Sequence, residues 1–419
     1  MTTQKHVIIV GGGFAGMSCA HELVKKGVRV TLVDKNNYHK FTPLLYQVAT
    51  SALSVVNAAT TFRHYFWKKA TIDIKMTKII SADPKSLTVY GEEGESYQGD
   101  FLVLACGSTV NFFGTKGAEE YAFPLYTLAQ AIKLRSRIVS AFEEADRNPK
   151  LIDEGILNFV IVGAGPTGTE LAGALADMLD EAMPKEFSDL VQNVGAIHLV
   201  DGHTVLRAFS EESQNYAKEV LQKRGVKLHL GLLVKEVASD YVLLSDGNKI
   251  LTKTVVWAGG LEPEPLSSKC GLFQGHGGRI DVLSDLTVQG YENIYVLGDF
   301  ANIKDQDGKF LPQLASVAQQ SGQACAKNIL ASIQGRPRSP FEYNDKGIMA
   351  MIGMNAAVAE IGTKRRKLSG HFAFLLWLLV HAALLPTLRQ KISALWDWMW
   401  DYFGSPGTLQ IIDRNEEIK

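Results

Sequence analysis

The sequence predicts an α/β fold built on two parallel, doubly wound sheets, and two observations carry that expectation. A β-branched run, a glycine-rich turn, a helix-periodic stretch and a second β-branched run ending in an acid follow one another, and that order occurs twice. At 419 residues the chain also exceeds what one core organises, so two or three domains are expected.

In the first copy His6 to Val10 reads as a strand, GGGFAG as the turn, Met17 to Lys26 as a helix, and Val28 to Val33 as the next strand, closing on Asp34. The second copy runs from the strand LNFVIV, beginning at Leu157, through GAGPTG and a helix over Glu170 to Met183, to Ala196–Val200 and Asp201. Between the copies, Asp100 to Cys106 followed by Gly107 reads as a buried strand entering a loop, and Tyr126 to Ala145 as a helix. Later strands, Thr254 to Ala258 and Asn293 to Leu297, end at Gly259-Gly260 and Gly298-Asp299. Strands that end on small or acidic residues suit a parallel sheet with functional loops at its carboxyl edge.

Gly335 to Pro340 reads as a linker, and Phe341 to Gly362 as one or two hairpins. Four basic residues, Lys364 to Lys367, precede an apolar run from Phe372 to Leu385, 14 residues long. That run falls short of the ~20 needed to cross a bilayer. Beyond Pro386, Leu388, Ile392, Leu395, Trp396, Met399 and Phe403 fall on one helical face, and Arg389, Ser393, Asp397 and Asp401 on the other. Four of the six tryptophans, Trp377, Trp396, Trp398 and Trp400, lie in this tail, which suits a membrane interface. The basic run then reads either as a solvated turn or as a site for anionic headgroups. A dimer interface is the alternative use of the same apolar surface.

Composition narrows the partners. Hydrophobic residues at 46% and charged residues at 21% exclude a disordered or collagen-like chain. A formal net charge of −1 offers no general basic field for nucleic acid. The four cysteines, Cys19, Cys106, Cys270 and Cys325, form no close pair in sequence and no metal-ligand cluster, so no metal is expected and a reducing compartment fits. Met1 to His6 shows no secretion signal.

The two turns carry the chemistry. In Gly11-x-Gly13-x-x-Gly16 the first glycine permits the tight turn, the second admits a pyrophosphate, and the third lets helix and strand pack closely. The helix N-terminus then offers N–H groups to phosphate, and Asp34 accepts from ribose hydroxyls. Gly163-x-Gly165-x-x-Gly168 repeats the pattern with Asp201, 38 residues after Gly163, and the excess reads as an insertion over Pro184 to Gly195. Two such Rossmann-like sites imply two dinucleotides, a tightly held FAD and an exchangeable nicotinamide cofactor. Asp201, with no arginine until Arg207, favours NADH because it would repel a 2′-phosphate.

These residues resemble the type II NADH dehydrogenases, single-chain NADH:quinone oxidoreductases bound to one membrane face. DKNNYHKFTPLLYQVATSALS (Asp34 to Ser54), GAGPTGTELAGALADM (Gly163 to Met178), VVWAGG, NIYVLGDFA and the aromatic tail carry the resemblance, which covers nearly the whole chain. It implies a fold of the pyridine nucleotide-disulfide reductase type with a C-terminal membrane-attachment region. Non-covalent FAD would be met by Gly11, Gly13, Phe14, Ala15, Gly16, Asp34, Lys35, Cys106, Gly107, Gly298, Asp299 and Ala315. NADH would be met by Gly163, Gly165, Thr167, Gly168, Asp201 and Gly260. Asp299 serves as ribityl acceptor, helix N-cap, or both. Glu170 either approaches the isoalloxazine as a catalytic group or is an acid favoured by its helix dipole. In the family's A-Q-x-x-x-Q pattern on the quinone side, this chain keeps the second glutamine as catalytic Gln320 and replaces the first by Ser316. Cys106, Cys19, Trp257 and His381 read most simply as packing residues.

The expected activity is oxidation of NADH and transfer of two electrons through FAD to a membrane quinone, ubiquinone or menaquinone, without ion pumping. The expected place is the cytoplasmic face of the cell membrane, as a peripheral protein and a candidate homodimer with no nucleic acid partner. Expected domains are 1–150 and 276–335 for FAD, 151–275 for NADH, and 336–419 for the hairpin and anchoring helices. A sulfide:quinone oxidoreductase, a thiol-disulfide reductase and a non-catalytic FAD-holding NADH sensor are the alternatives; the first two require a redox cysteine pair.

Overall fold

The computed structural model describes residues 4–187, 190 and 195–403, and they form two compact units. The first comprises the described residues of Met1–Lys40, Thr60–Thr109 and Leu261–Asp345. Its six-stranded sheet has the order Thr287–Val288, Tyr291–Val296, Phe101–Leu104, His6–Val10, Arg29–Asp34, Ile72–Met76. All neighbours run parallel except the first two. Val7, Ile8 and Ile9 are fully buried because central parallel strands are covered on both faces. Helices Phe14–Lys25 and Ala315–Ile333 pack together through Gly322, whose absent Cβ would lie 2.1 Å from the Ala15 carbonyl oxygen.

The second unit comprises Phe41–Ala59, Val110–Gly260 and the described part of Lys346–Lys419. Its five-stranded sheet has the order Ala122–Pro124, Thr254–Trp257, Phe159–Val162, Ile197–Asp201, Lys227–Leu230, all parallel. Helix Leu128–Arg147 begins with a capping box at Thr127 and Gln130 and lies on this sheet, which is why residues 110–150 group here rather than with the first sheet as the sequence suggests. Phe41–Ala59 also belongs to this unit. The helix expected over Glu170 to Met183 starts earlier, at Pro166, runs to Asp177 and continues as a π-helical turn, Met178–Ala182. The insertion expected before Asp201 lies partly outside the described residues.

The C-terminal part of this unit is a three-stranded antiparallel sheet, Gly347–Met351, Ala357–Ile361 and Arg366–Ser369, followed by helices His371–Leu384 and Leu388–Phe403. The basic run thus spans a turn and the start of the third strand. No described helix is long and apolar enough to cross a membrane.

Candidate functional site

The first turn is shaped by its glycines. Gly11 has φ +99°, and a Cβ there would meet the Ala105 carbonyl oxygen at 2.3 Å. A Cβ on Gly16 would meet the Gly11 carbonyl oxygen at 1.8 Å, so helix and turn touch backbone to backbone. Gly13 differs: it is the extended N-cap of Phe14–Lys25, and a Cβ there would meet nothing within 4 Å. That open space beside a helix N-terminus could hold a phosphate. Asp34 braces the turn, accepting from the Gly12 amide at 2.6 Å and the Asn36 amide at 2.7 Å. Burial pushes the Asp34 carboxyl up, and those two amides oppose it.

Around this cradle the first unit gathers most of the expected FAD set. Cys106 follows the neighbouring strand, its Sγ 3.7 Å from the Val10 carbonyl oxygen, and burial pushes the thiol well above its ordinary range. Gly107 has φ +74° and open space before it. Asp299 accepts from Ser108 Oγ at 3.2 Å, and its carboxyl is raised by burial against the pull of Ser108, Arg279 and Lys40. Gly298, at φ +60°, brings the turn close to Ala15 and to Ala318 of helix Ala315–Ile333, whereas Ala315 opens that helix. Lys35 pairs with Glu264 at 2.7 Å.

Two residues here escape the sequence reading. His39 Nδ1 bonds to the Gly12 carbonyl at 2.9 Å with its ring edge-on to Phe14. Lys40 lies in the fields of Asp34, Asp299 and Glu264, and its amine is drawn down to about 8 by burial first and by Lys35 second. Alternating residues Tyr38–Lys40 read like any short strand; a half-buried lysine among three acids is visible only in three dimensions. Ser316 and Gln320, in the same unit, hold the chain after the linker. Ser316 Oγ bonds to Tyr343 Oη at 2.8 Å, and Gln320 exchanges two 3.0 Å hydrogen bonds with the Asn344 backbone.

The second turn repeats the first almost atom for atom. Gly163 has φ +102°, a Cβ on Gly168 would lie 1.8 Å from the Gly163 carbonyl oxygen, and a Cβ on Gly165 would meet nothing within 4 Å. Asp201 accepts from the Ala164 and His203 amides, each at 2.7 Å. Pro166 takes the first helical position, where its missing N–H costs nothing, and half-buried Thr167 follows. Gly260, at φ +81°, faces the Phe113 ring, and the Trp257 indole donates to the Asn111 carbonyl at 3.0 Å.

Glu170 sits one turn further along this helix and is buried. Its Oε1 accepts from the Met351 amide and from Trp377 Nε1, both at 3.2 Å. The strand carrying Met351 comes this close because Gly173 has no side chain: a Cβ there would lie 2.5 Å from the Ile352 carbonyl carbon. Burial lifts the Glu170 carboxyl to about 8, with the two donors pulling the other way, so it is largely protonated at neutral pH. Met351, which donates to Glu170, also lines a cavity of about 530 Å³, mostly apolar, together with Tyr46, Phe374, Trp398 and Met399 among others; Glu170 itself is not on its wall. Tyr46 Oη lies 3.4 Å from Met351 Sδ, and Gln47 links Tyr46 to the Trp398 indole.

The tail helix Leu388–Phe403 is amphipathic in the reverse sense of an ordinary surface helix. Its polar and small face turns inward: Gln390 donates to the Val56 and Ala59 carbonyls, and Asp397 accepts from Asn57 and Ser54. The apolar face is outward, with Leu388 72%, Ile392 61%, Trp396 58% and Phe403 80% exposed. His381 is buried and Trp257 likewise, as packing residues should be. Cys19 and Cys325, distant in sequence, come within 3.9 Å, both fully buried as free thiols in the first core.

The pyridine nucleotide-disulphide oxidoreductase family model matches residues 5–322. The type II NADH:quinone oxidoreductase Ndh of Mycobacterium tuberculosis is 32% identical, over 98% of this chain and 91% of that one. NDH2 of Plasmodium falciparum in complex with NADH shares the fold at a TM-score of 0.88 and 20% identity, over 96% of this chain and 99% of that one. The sulfide:quinone oxidoreductase of Aquifex aeolicus shares it at 0.75 and 18% over the same fractions. The near-full-length identity is to the NADH oxidoreductases, whereas the sulfide enzyme is matched in fold alone. The chain belongs to the type II NADH:quinone oxidoreductases, on the pyridine nucleotide-disulphide oxidoreductase fold.

Proposed function

We propose that this chain is a non-pumping NADH:quinone oxidoreductase in which each glycine turn holds one dinucleotide and Glu170 serves the quinone. The residues of the first unit fit FAD: an open cradle at Gly13, a bracing acid at Asp34, and a second half-buried acid at Asp299. When bound, FAD supplies hydride-accepting and electron-donating chemistry that no side chain here possesses. Gly11, Gly13 and Gly16 admit its pyrophosphate to the N-terminus of Phe14–Lys25, Lys40 adds a nearby cation, and Asp34 and Asp299 accept from hydroxyls. Lys35, Cys106, Gly107 and Ala315 complete the walls. Gly163, Gly165 and Gly168 do the same for NADH, with Asp201 on the ribose and Thr167 and Gly260 alongside.

The observation that carries the quinone assignment is the apolar cavity that shares Met351 with a buried, neutral carboxyl. Reducing a quinone takes two electrons and two protons, and Glu170 holds a proton at neutral pH where an ordinary glutamate holds none. A catalytic role for Gln320 rests on the family resemblance alone, since its amide is bonded at both ends to the Asn344 backbone. The exposed face of Leu388–Phe403, together with Phe372 and Leu379, suits the surface of a bilayer that supplies ubiquinone or menaquinone, and Lys364 and Arg366 suit anionic headgroups. Attachment from the cytoplasmic side, and pairing of two copies, follow the family resemblance. The buried thiols of Cys19 and Cys325 do not fit an accessible redox pair, which disfavours sulfide and disulfide chemistry.

Anaerobic addition of NADH to the FAD-loaded protein should bleach the flavin, and a short-chain quinone should restore its colour. Bleaching by sulfide but not by NADH would overturn the donor assignment; bleaching without recovery would favour a sensor.

A further inference from the structure

Trp377 lies on the C-terminal helix His371–Leu384, 207 residues from Glu170 in sequence, and its indole N–H ends on Glu170 Oε1. Because Oε1 already accepts from both Trp377 and the Met351 amide, its lone pairs are committed. The proton of the neutral acid therefore resides on Oε2. We propose that Trp377 is a positioning residue for quinone reduction: its indole N–H fixes the Glu170 carboxyl so that Oε2 alone carries and releases the proton. The inference rests on the assignment of Glu170 to the quinone reaction.

The indole is held to a single pose. Its side chain is fully buried, the His381 ring stacks on it with centroids 3.7 Å apart, and Tyr46 and Trp398 meet it edge-on at 6.3 and 6.1 Å. His381 Nδ1 bonds to the Trp377 carbonyl at 2.8 Å. A carbonyl can only accept, so Nδ1 carries the hydrogen; burial draws His381 down to about 4 and keeps the ring neutral. The stack therefore brings no positive charge to the carboxyl. An indole packed only for bulk needs no such orientation, whereas one that must aim its N–H does.

Few titratable groups face Glu170 from the described elements packed against its helix. Tyr46, on the adjacent short helix, is pushed far up by burial first and by Glu170 second. The packed strand Gly347–Met351 carries no titratable side chain, and neither does Phe159–Val162. His198 on Ile197–Asp201 is drawn down to about 4 by burial, with His229 and Lys227 adding. That strand ends at Asp201, whose two oxygens are committed to backbone amides. Asp180 and Glu181 lie in the turn at the other end of the helix, and Asp177 is paired with Arg224. Asp401, on the cavity wall, is raised by burial to about 6 and so titrates lower.

The donor favours the carboxylate over the acid, so its loss raises the pH at which Glu170 ionises. In W377F the alkaline limb of quinone-dependent turnover should move upward by about one pH unit, with flavin content and Tm reporting that the protein is folded. A folded W377F whose limb stays at the wild-type pH overturns the proposal. If W377F does not fold, wild-type protein grown with fluorinated tryptophan keeps the shape and strengthens the N–H donor; its limb should move to lower pH, and an unmoved limb overturns the proposal equally. E170Q separates the layers. If the limb survives in E170Q, the assignment of Glu170 itself fails, whereas a limb lost in E170Q but unmoved in W377F removes only the role of Trp377.

Discussion

Replacing Gly165 by alanine should weaken NADH binding while leaving the fold and the flavin untouched. Gly165 has φ −67° and ψ −174°, extended backbone that any residue adopts, and the added Cβ meets nothing within 4 Å. Folding therefore loses nothing and gains up to about 1 kcal/mol from a stiffer unfolded chain. The methyl instead fills the space where a pyrophosphate must approach the amides at the start of Pro166–Asp177. Losing two hydrogen bonds to a charged group, at roughly 1.5 kcal/mol each, costs about 3 kcal/mol. That corresponds to a rise of roughly a hundredfold in KM for NADH. Steady-state assays with a short-chain quinone measure this, alongside flavin absorbance and thermal unfolding. Gly13→Ala is the mirror experiment, since its Cβ is equally unobstructed: the protein should purify depleted of FAD. Gly168→Ala serves as contrast, because its Cβ would overlap the Gly163 carbonyl and unfolding should come at lower temperature. A folded G165A with wild-type KM, or one that loses FAD instead, would refute the assignment of the two turns.

Three further outcomes are expected. Glu170 has its carboxyl raised in the folded protein to about 8 from an ordinary 4.5, so the folded state binds more protons between those values. Its contribution is complete below the lower value and is lost as pH rises to the upper one; wild type should lose about 1.4 kcal/mol per pH unit relative to E170Q across that window, and parallel unfolding curves at pH 5 and pH 8 would contradict it. Asp201→Asn removes the charge that repels a 2′-phosphate, so the NADH-to-NADPH ratio of kcat/KM should fall about tenfold; an unchanged ratio would place the discrimination elsewhere. Ile392→Glu with Trp396→Glu puts two charges on the exposed tail face and should weaken sedimentation with anionic vesicles by roughly a hundredfold, since each buried apolar side chain contributes ~1.5–3 kcal/mol. Unaltered vesicle binding accompanied by loss of a dimer would assign that face to pairing.

What the sequence shows and hides follows from distance along the chain. The two turns are legible because strand, glycines, helix and acid are local, and the periodicity of Leu388 to Phe403 is legible for the same reason. Sequence also separates the two faces of that helix, but not which one the protein keeps. Gln390 and Asp397 decide it by bonding to residues 54–59, more than 300 positions away. Glu170 illustrates the same limit: its spacing from Gly168 makes it a candidate, but its neutral state comes from burial beneath the distant segments that carry Met351 and Trp377, which no local pattern connects to it. Cys19 and Cys325 look scattered and are neighbours. The closing of one helix onto a backbone at Gly173 leaves no periodic trace at all.

Both units are woven from three separate stretches of chain, and that weaving has a consequence for biogenesis. The first unit is not complete until residue 345 and the second draws on residues 41–59 as well as on the tail helices. A nascent chain leaving the ribosome amino end first therefore cannot finish either unit early, although both glycine turns emerge well before residue 345. Phe41–Ala59 must wait, unsatisfied, for Gln390, Asp397 and Trp398 to arrive. Such late, long-range closure is slow and leaves apolar surface open to aggregation. The docking that buries the polar face of Leu388–Phe403 therefore also fixes its apolar face outward, so the closing of the second unit and the display of that surface come about together.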